Sequence, residues 1–154
     1  MVRTHGLSHI NLNVADAERS IRFYRELFGM EAIHDYEGPI GPHPRGRQVV
    51  LSTPGAEDLI AITQIPGEPV GPAGMSHFGF TLMSNDDVEA ATAEAERLGG
   101  AVKRRGSAEV DGIVERFAYV ADPDGYVIEL NAQRVLLARK RRSYPRRTSS
   151  QDTG

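Results

Sequence analysis

Two histidines, each preceded by serine, stand 68 residues apart in matching contexts: Leu7-Ser8-His9-Ile10-Asn11-Leu12 and Met75-Ser76-His77-Phe78-Gly79-Phe80. Both windows read apolar-Ser-His-apolar-x-apolar, a repeat that organises the chain. In a strand Ile10, Leu12 and Val14 share one face, and His9, Asn11 and Asn13 share the other. The same alternation sends Phe78, Phe80 and Leu82 inward and leaves His77, Gly79 and Thr81 opposite. Glu129 lies between Ile128 and Leu130 in a late apolar run, and a carboxylate flanked by core residues needs a compensating partner. If matching strands of the two repeats face one another, His9, His77 and Glu129 converge. Two imidazoles and one carboxylate are the ligands of an open site for a divalent first-row metal, with positions left for substrate. Taken singly, each residue is better explained by a hydrogen-bonded strand histidine or a Glu–Arg pair; recurrence at repeat-equivalent places favours the metal. The chain has no Cys, which excludes thiolate nucleophiles, thiolate metal sites and disulfides, so nitrogen and oxygen must hold any metal.

The elements that must position these residues follow from local signals. Asp16 reads as the N-cap of a helix through Ile21, Tyr24, Leu27 and Phe28 that ends at Gly29. Ser84, with Asp87 as its capping-box partner, starts a second helix through Val88, Ala91, Ala95 and Leu98 to Gly99-Gly100. After each helix come apolar stretches around a turn: Gln48 to Ser52, Thr53-Pro54-Gly55 and Leu59 to Ile65, then Arg116 to Ala121, Asp122-Pro123-Asp124-Gly125 and Tyr126 to Asn131. Each half is strand, helix, then two or three strands, with the Gly/Pro-rich segment 66–74 between them. Neither half has a core of its own, so the two pair into one α+β body. A second Gly/Pro-rich stretch, Glu37 to Gly46, is expected to be a loop, either a substrate-facing lid or a plain surface insertion.

With 154 residues, 40% hydrophobic and 25% charged, the chain has the composition of an ordinary globular protein. No run approaches the roughly 20 apolar residues of a membrane-spanning helix, and the first residues lack a signal-peptide apolar region. The expected location is the cytoplasm. The net charge of −3 hides an asymmetry: residues 134–154 hold seven of the 18 basic residues and one of the 21 acidic ones, leaving 11 against 20 in the body. An acidic body argues against nucleic acid as the partner. The segment 134–154 reads as a basic, flexible tail following a domain of residues 1–133, with repeats at about 5–65 and 75–131.

The Ser-His pairs, Phe23-Tyr24 and Leu27-Phe28-Gly29, and the run Asp122-Pro123-Asp124-Gly125-Tyr126-Val127-Ile128-Glu129-Leu130 together resemble the vicinal oxygen chelate superfamily of glyoxalases, bleomycin-resistance proteins and extradiol dioxygenases. The resemblance covers residues 5 to 131. It implies paired βαβββ repeats in a curved mixed sheet around a divalent metal, often in homodimers, and a small-molecule substrate chelated through two vicinal oxygens. By resemblance His9, His77 and Glu129 are the metal ligands. Glyoxalases and related epimerases add a Glu or Gln on the last strand of the first repeat; counting from Pro54 puts Ile62 there, with Gln64 two residues on along the same face. A three-ligand site is similar to those of extradiol dioxygenases and fosfomycin-resistance transferases, whose Tyr ten residues before the carboxylate faces substrate; Tyr119 stands there as the expected catalytic residue. The second-sphere histidine of the dioxygenases falls at Val110, so that helper is missing from its place; His34 and His43 are read first as exposed loop histidines and only second as substitutes. The loop of the transferases is poorly matched by Gly106 to Gly112. The resemblance therefore implies a metal-dependent enzyme, with Fe(II) and ring-cleaving dioxygenation slightly favoured. Mn, Ni, Co or Zn with isomerase, lyase or epimerase chemistry is the alternative. A third possibility is a metal-free drug-binding protein of the bleomycin-resistance type.

Overall fold

The computed structural model describes residues 7–110 and 112–132, so the basic tail lies outside the described residues. In chain order the elements are β1 (Ile10–Asn13), α1 (Ala17–Phe28), β2 (Glu31–Ile40), β3 (His43–Ser52), β4 (Ile60–Gln64), β5 (Phe78–Thr81), α2 (Asn85–Arg97), β6 (Ala101–Val110), β7 (Ile113–Ala121) and β8 (Val127–Asn131). Both helices begin where their caps dictate. The Asp16 carboxylate accepts from Arg19 N at 3.0 Å, and Ser84 Oγ accepts from Asp87 N at 3.1 Å while donating to Asp87 Oδ2. Such caps satisfy amides that the first helical turn leaves without partners. Gly29, at φ 66°, stops α1 in the left-handed conformation that favours glycine.

The expected repeats appear as two four-stranded mixed sheets, ordered β1-β4-β3-β2 and β5-β8-β7-β6. In each, the first strand runs parallel to the last and the remaining pairs are antiparallel. Both long hairpins carry a register shift at matching places, between Ala32 and His34 and between Val102 and Arg104. The stretch Glu37 to Gly46 is not a loop: it forms the distal end of the β2–β3 hairpin, turning only at Gly41-Pro42. Its prolines fit because Pro39 lies on the edge strand and Pro44 at the start of β3, where ladder bonding is already irregular. Gly106 likewise sits within β6 rather than in a loop.

One face of each sheet carries its helix and shares a single core. Leu12, Val49, Leu51 and Ile62 of the first sheet, Val120, Ile128 and Leu130 of the second, and Phe23, Tyr24 and Val88 of the helices are all buried in it. The Phe28 ring of α1 stacks on Phe80 of β5 at 3.8 Å. A polar clamp reinforces this junction where the β7–β8 turn meets α1. Arg19 donates to Asp124 Oδ1 at 2.6 Å, Ser20 to Asp124 Oδ2, and the Tyr24 hydroxyl to Asp122 Oδ2 at 2.9 Å. Asp122 also accepts from the backbone amides of Asp124 and Tyr126, and the Tyr126 hydroxyl donates to Asn13 O. Burial raises the Asp122 carboxyl above the ordinary carboxylate range despite those hydrogen bonds. Burial, with Asp122 beside it, pushes the Tyr24 phenol well above its usual value. No helix among the described residues is long and apolar enough to cross a membrane.

Candidate metal centre

With one face of each sheet committed to the core, the other is free for chemistry. On the second sheet the register places Gly79 beside Glu129, and Glu129 beside Tyr119. Their flanking residues Ile128, Leu130, Ala118 and Val120 are fully buried, so alternation turns Glu129 and Tyr119 to the opposite, helix-free face. His77 immediately precedes β5, and its Nε2 lies 3.3 Å from Glu129 Oε2. The Glu129 side chain retains 19% of its exposure and that of His77 37%, so the pair is sheltered but reachable. Tyr119 meets the His77 ring edge-on at 5.2 Å between centroids. Gly79 keeps the approach open, because a Cβ there would stand only 3.3 Å from Glu129 O.

Both histidines are oriented in the same way. Ser76 Oγ is hydrogen-bonded to His77 Nδ1 at 3.0 Å, and Ser8 Oγ to His9 Nδ1 at 2.9 Å. Occupying Nδ1 leaves Nε2 as the available ligand nitrogen, the usual division of labour in a metal-binding imidazole.

His9 does not join the other two within the chain: among the described residues no three His, Asp or Glu side chains come together. It lies at the repeat-equivalent place before β1, at the edge of a mostly apolar cleft of about 360 Å³ that also touches Asp58, Phe78 and Phe80. The sequence leaves open whether His9 joins the other two ligands within a chain or across a subunit interface; among the described residues of one copy it does not.

The first sheet also corrects the fourth position. Asn11 pairs with Ala61 as Gly79 pairs with Glu129, so the equivalent of Glu129 is Ala61. Ile62 is fully buried in the core, and Gln64, on that same inward face, accepts from Ala17 N at 2.9 Å. Neither is placed to be a ligand. Counting from the turn prolines misses this by one residue, and one residue in a strand exchanges its faces. Counting from the two histidines through the strand pairing finds Ala61. Around it, Gln48 Nε2 donates to Thr63 Oγ1 at 3.1 Å and Thr63 Oγ1 to Asn11 Oδ1 at 2.7 Å, a polar network that sequence reasoning did not single out. His34 pairs in register with Val50 on the first sheet. His43 Nε2 lies 3.6 Å from Glu68 at the hairpin tip, and Val110 ends β6 at the β6–β7 turn. None of these three adjoins the His77–Glu129 pair.

Two sheets of matching strand order, repeated histidines just before their first strands and a carboxylate on the last strand of one define a class. The chain belongs to the glyoxalase/bleomycin resistance protein/dioxygenase superfamily, whose family model matches residues 6–130. It is similar to the lactoylglutathione lyase of Escherichia coli O157:H7, 33% identical over 132 residues covering 80% of this chain and 90% of that one. It is also similar to the lactoylglutathione lyase of Schizosaccharomyces pombe, at 30% identity over 84% of this chain, but it spans only about half of that relative, 48%. Among solved structures, fosfomycin resistance protein FosX from Listeria monocytogenes, complexed with Mn(II) and sulfate, superposes with a TM-score of 0.64 at 23% identity, covering 87% of this chain and 97% of that one. A divalent metal, Mn(II), is thus bound by a protein of this fold. The slight preference for a dioxygenase finds no support in these relatives, none of which carries that name.

Proposed function

We propose that the chain is a divalent-metal-dependent enzyme of the lyase or isomerase type, acting on a small molecule chelated through two adjacent oxygens. Each site is made by two copies, with His9 from one and His77 and Glu129 from the other. The observation that carries this reading is the His77 Nε2–Glu129 Oε2 approach of 3.3 Å on a helix-free sheet face, with the remaining histidine held on the other sheet.

The donors suit a borderline divalent ion such as Mn, Fe(II), Co, Ni or Zn: two imidazole nitrogens with their Nδ1 atoms already engaged, and one carboxylate. Bound there, such an ion supplies Lewis acidity toward the chelated oxygens. The chain's own residues do the rest. Ser8 and Ser76 fix the imidazoles, Gly79 leaves room beside Glu129, and the Tyr119 phenol borders His77, where it can donate to or accept from a substrate oxygen. Ala61 offers no carboxylate base at the place the glyoxalase pattern uses. This supports a substrate whose proton movements are handled by Tyr119 or by its own groups, rather than the hemithioacetal of the lactoylglutathione lyases.

The test is metal content per chain after reconstitution with each candidate ion and dialysis, read by elemental mass spectrometry. Native protein should hold a near-stoichiometric ion. His77→Ala, Glu129→Ala and His9→Ala should each lose it, while His34→Ala and His43→Ala keep it. Equal content in all five variants, or an empty native protein, overturns the reading.

A further inference from the structure

We propose that Arg104 binds a second, anionic group of the substrate, so that the substrate is an oxyacid carrying a carboxylate several bonds away from its two chelating oxygens. This rests on the metal-site reading above and extends it to the far side of the same sheet face. The register continues the row that begins at Gly79 and Glu129: Tyr119 pairs with Glu129, and Arg104 pairs with Tyr119. At the usual spacing of about 4.8 Å between strands, Arg104 starts roughly 10 Å from Glu129, with Tyr119 between them.

The guanidinium has a built support. Its carbon lies 5.7 Å from the centroid of the Phe117 ring, and that ring meets Tyr119 edge-on at 5.9 Å. Phe117 lies across Gly106, its register partner, where a Cβ would come within 2.5 Å of the ring. A glycine thus makes the slot, the slot seats the aromatic ring, and the ring carries the cation by cation–π attraction. The neighbouring arginines behave otherwise. Arg105 and Arg116 both reach Glu89 of α2, at 3.8 and 3.5 Å, whereas Arg104 makes no ion pair among the described residues. A planar donor fork on an aromatic platform, at one end of a row whose other end is the candidate metal centre, matches a distal carboxylate.

The experiment compares two 2-oxo acids of equal chain length, 2-oxoadipate and 2-oxohexanoate, which share the chelating end and differ in the distal carboxylate. Each is titrated by calorimetry into full-length protein loaded with the ion it retains. A charge-assisted contact at an exposed site predicts about tenfold tighter binding of 2-oxoadipate. Arg104→Gln should erase that preference and leave 2-oxohexanoate unchanged, and Arg104→Lys should keep part of it. Equal affinities in the native protein, a preference surviving in Arg104→Gln, or no binding of either acid to metal-loaded protein overturns the assignment and leaves the metal reading standing. A native protein that retains no ion overturns both together.

Discussion

At the scale of single residues, the two sheets differ less in what they hold than in what one of them lacks. His9 and His77 have the same serine at Nδ1 and the same place before their strands, yet the register partner of one site is Glu129 and of the other Ala61. Ala61→Glu places an oxygen ligand where the glyoxalase pattern has one. It should slow the loss of metal to a competing chelator, measured as residual metal over time. Ser76→Ala frees the His77 imidazole from its hydrogen bond. Outer-sphere partners of metal ligands are worth about 10–100-fold in affinity, and a neutral hydroxyl belongs at the low end, so a loss of about tenfold is expected in competition with a chromogenic chelator. Unchanged affinity would mean that the strand alone orients the ring.

At the scale of elements, the β7–β8 turn and α1 are joined by a clamp whose chemistry can be titrated. Tyr24→Phe leaves the buried Asp122 carboxylate one donor short, at a cost of about 1–3 kcal/mol in urea unfolding. Because the folded-state pKa of Asp122 lies above its unfolded value, the native state binds a proton more readily than the unfolded chain. Stability therefore rises as pH falls through the window between those two values, and the contribution is lost above the folded one. Asp122→Asn keeps acceptors for the two backbone amides and should flatten that part of the profile; an unaltered slope would assign it to another group. The helices and their caps were legible in the sequence because capping is local: Asp16, Ser84 and Gly29 act on neighbours within four residues. The strand faces bearing His9, His77 and Glu129 were legible from alternation. Strand β2 and the first half of β3 were not, since β2 is exposed along nearly its whole length and shows neither a buried face nor freedom from Gly and Pro. Ala61 was hidden for a different reason: the turns of the two repeats differ in length by one residue, and only the strand pairing reveals it.

At the scale of the whole molecule, the proposed site divides its ligands between faces that one chain does not bring together, and no order of residues along a chain records how copies would meet. Mixing provides the check. His9→Ala and His77→Ala chains, each empty alone, should regain metal when unfolded and refolded together, because a mixed pair contains one intact set of ligands. Failure to regain it, with both variants folded by circular dichroism, would exclude a shared site. The strand order bears on how such a pair is chosen. β1 and β5 each stand at the outer edge of a sheet with one side unpaired by any strand of the described residues, and a bare edge accepts a foreign strand as readily as a proper one. Here each edge is only four residues long, too short for backbone pairing alone to hold a stranger. The other two edges, β2 and β6, are ten residues long, so brevity guards only two of the four edges against a foreign strand, and at β1 and β5 recognition falls to the side chains beside the edge.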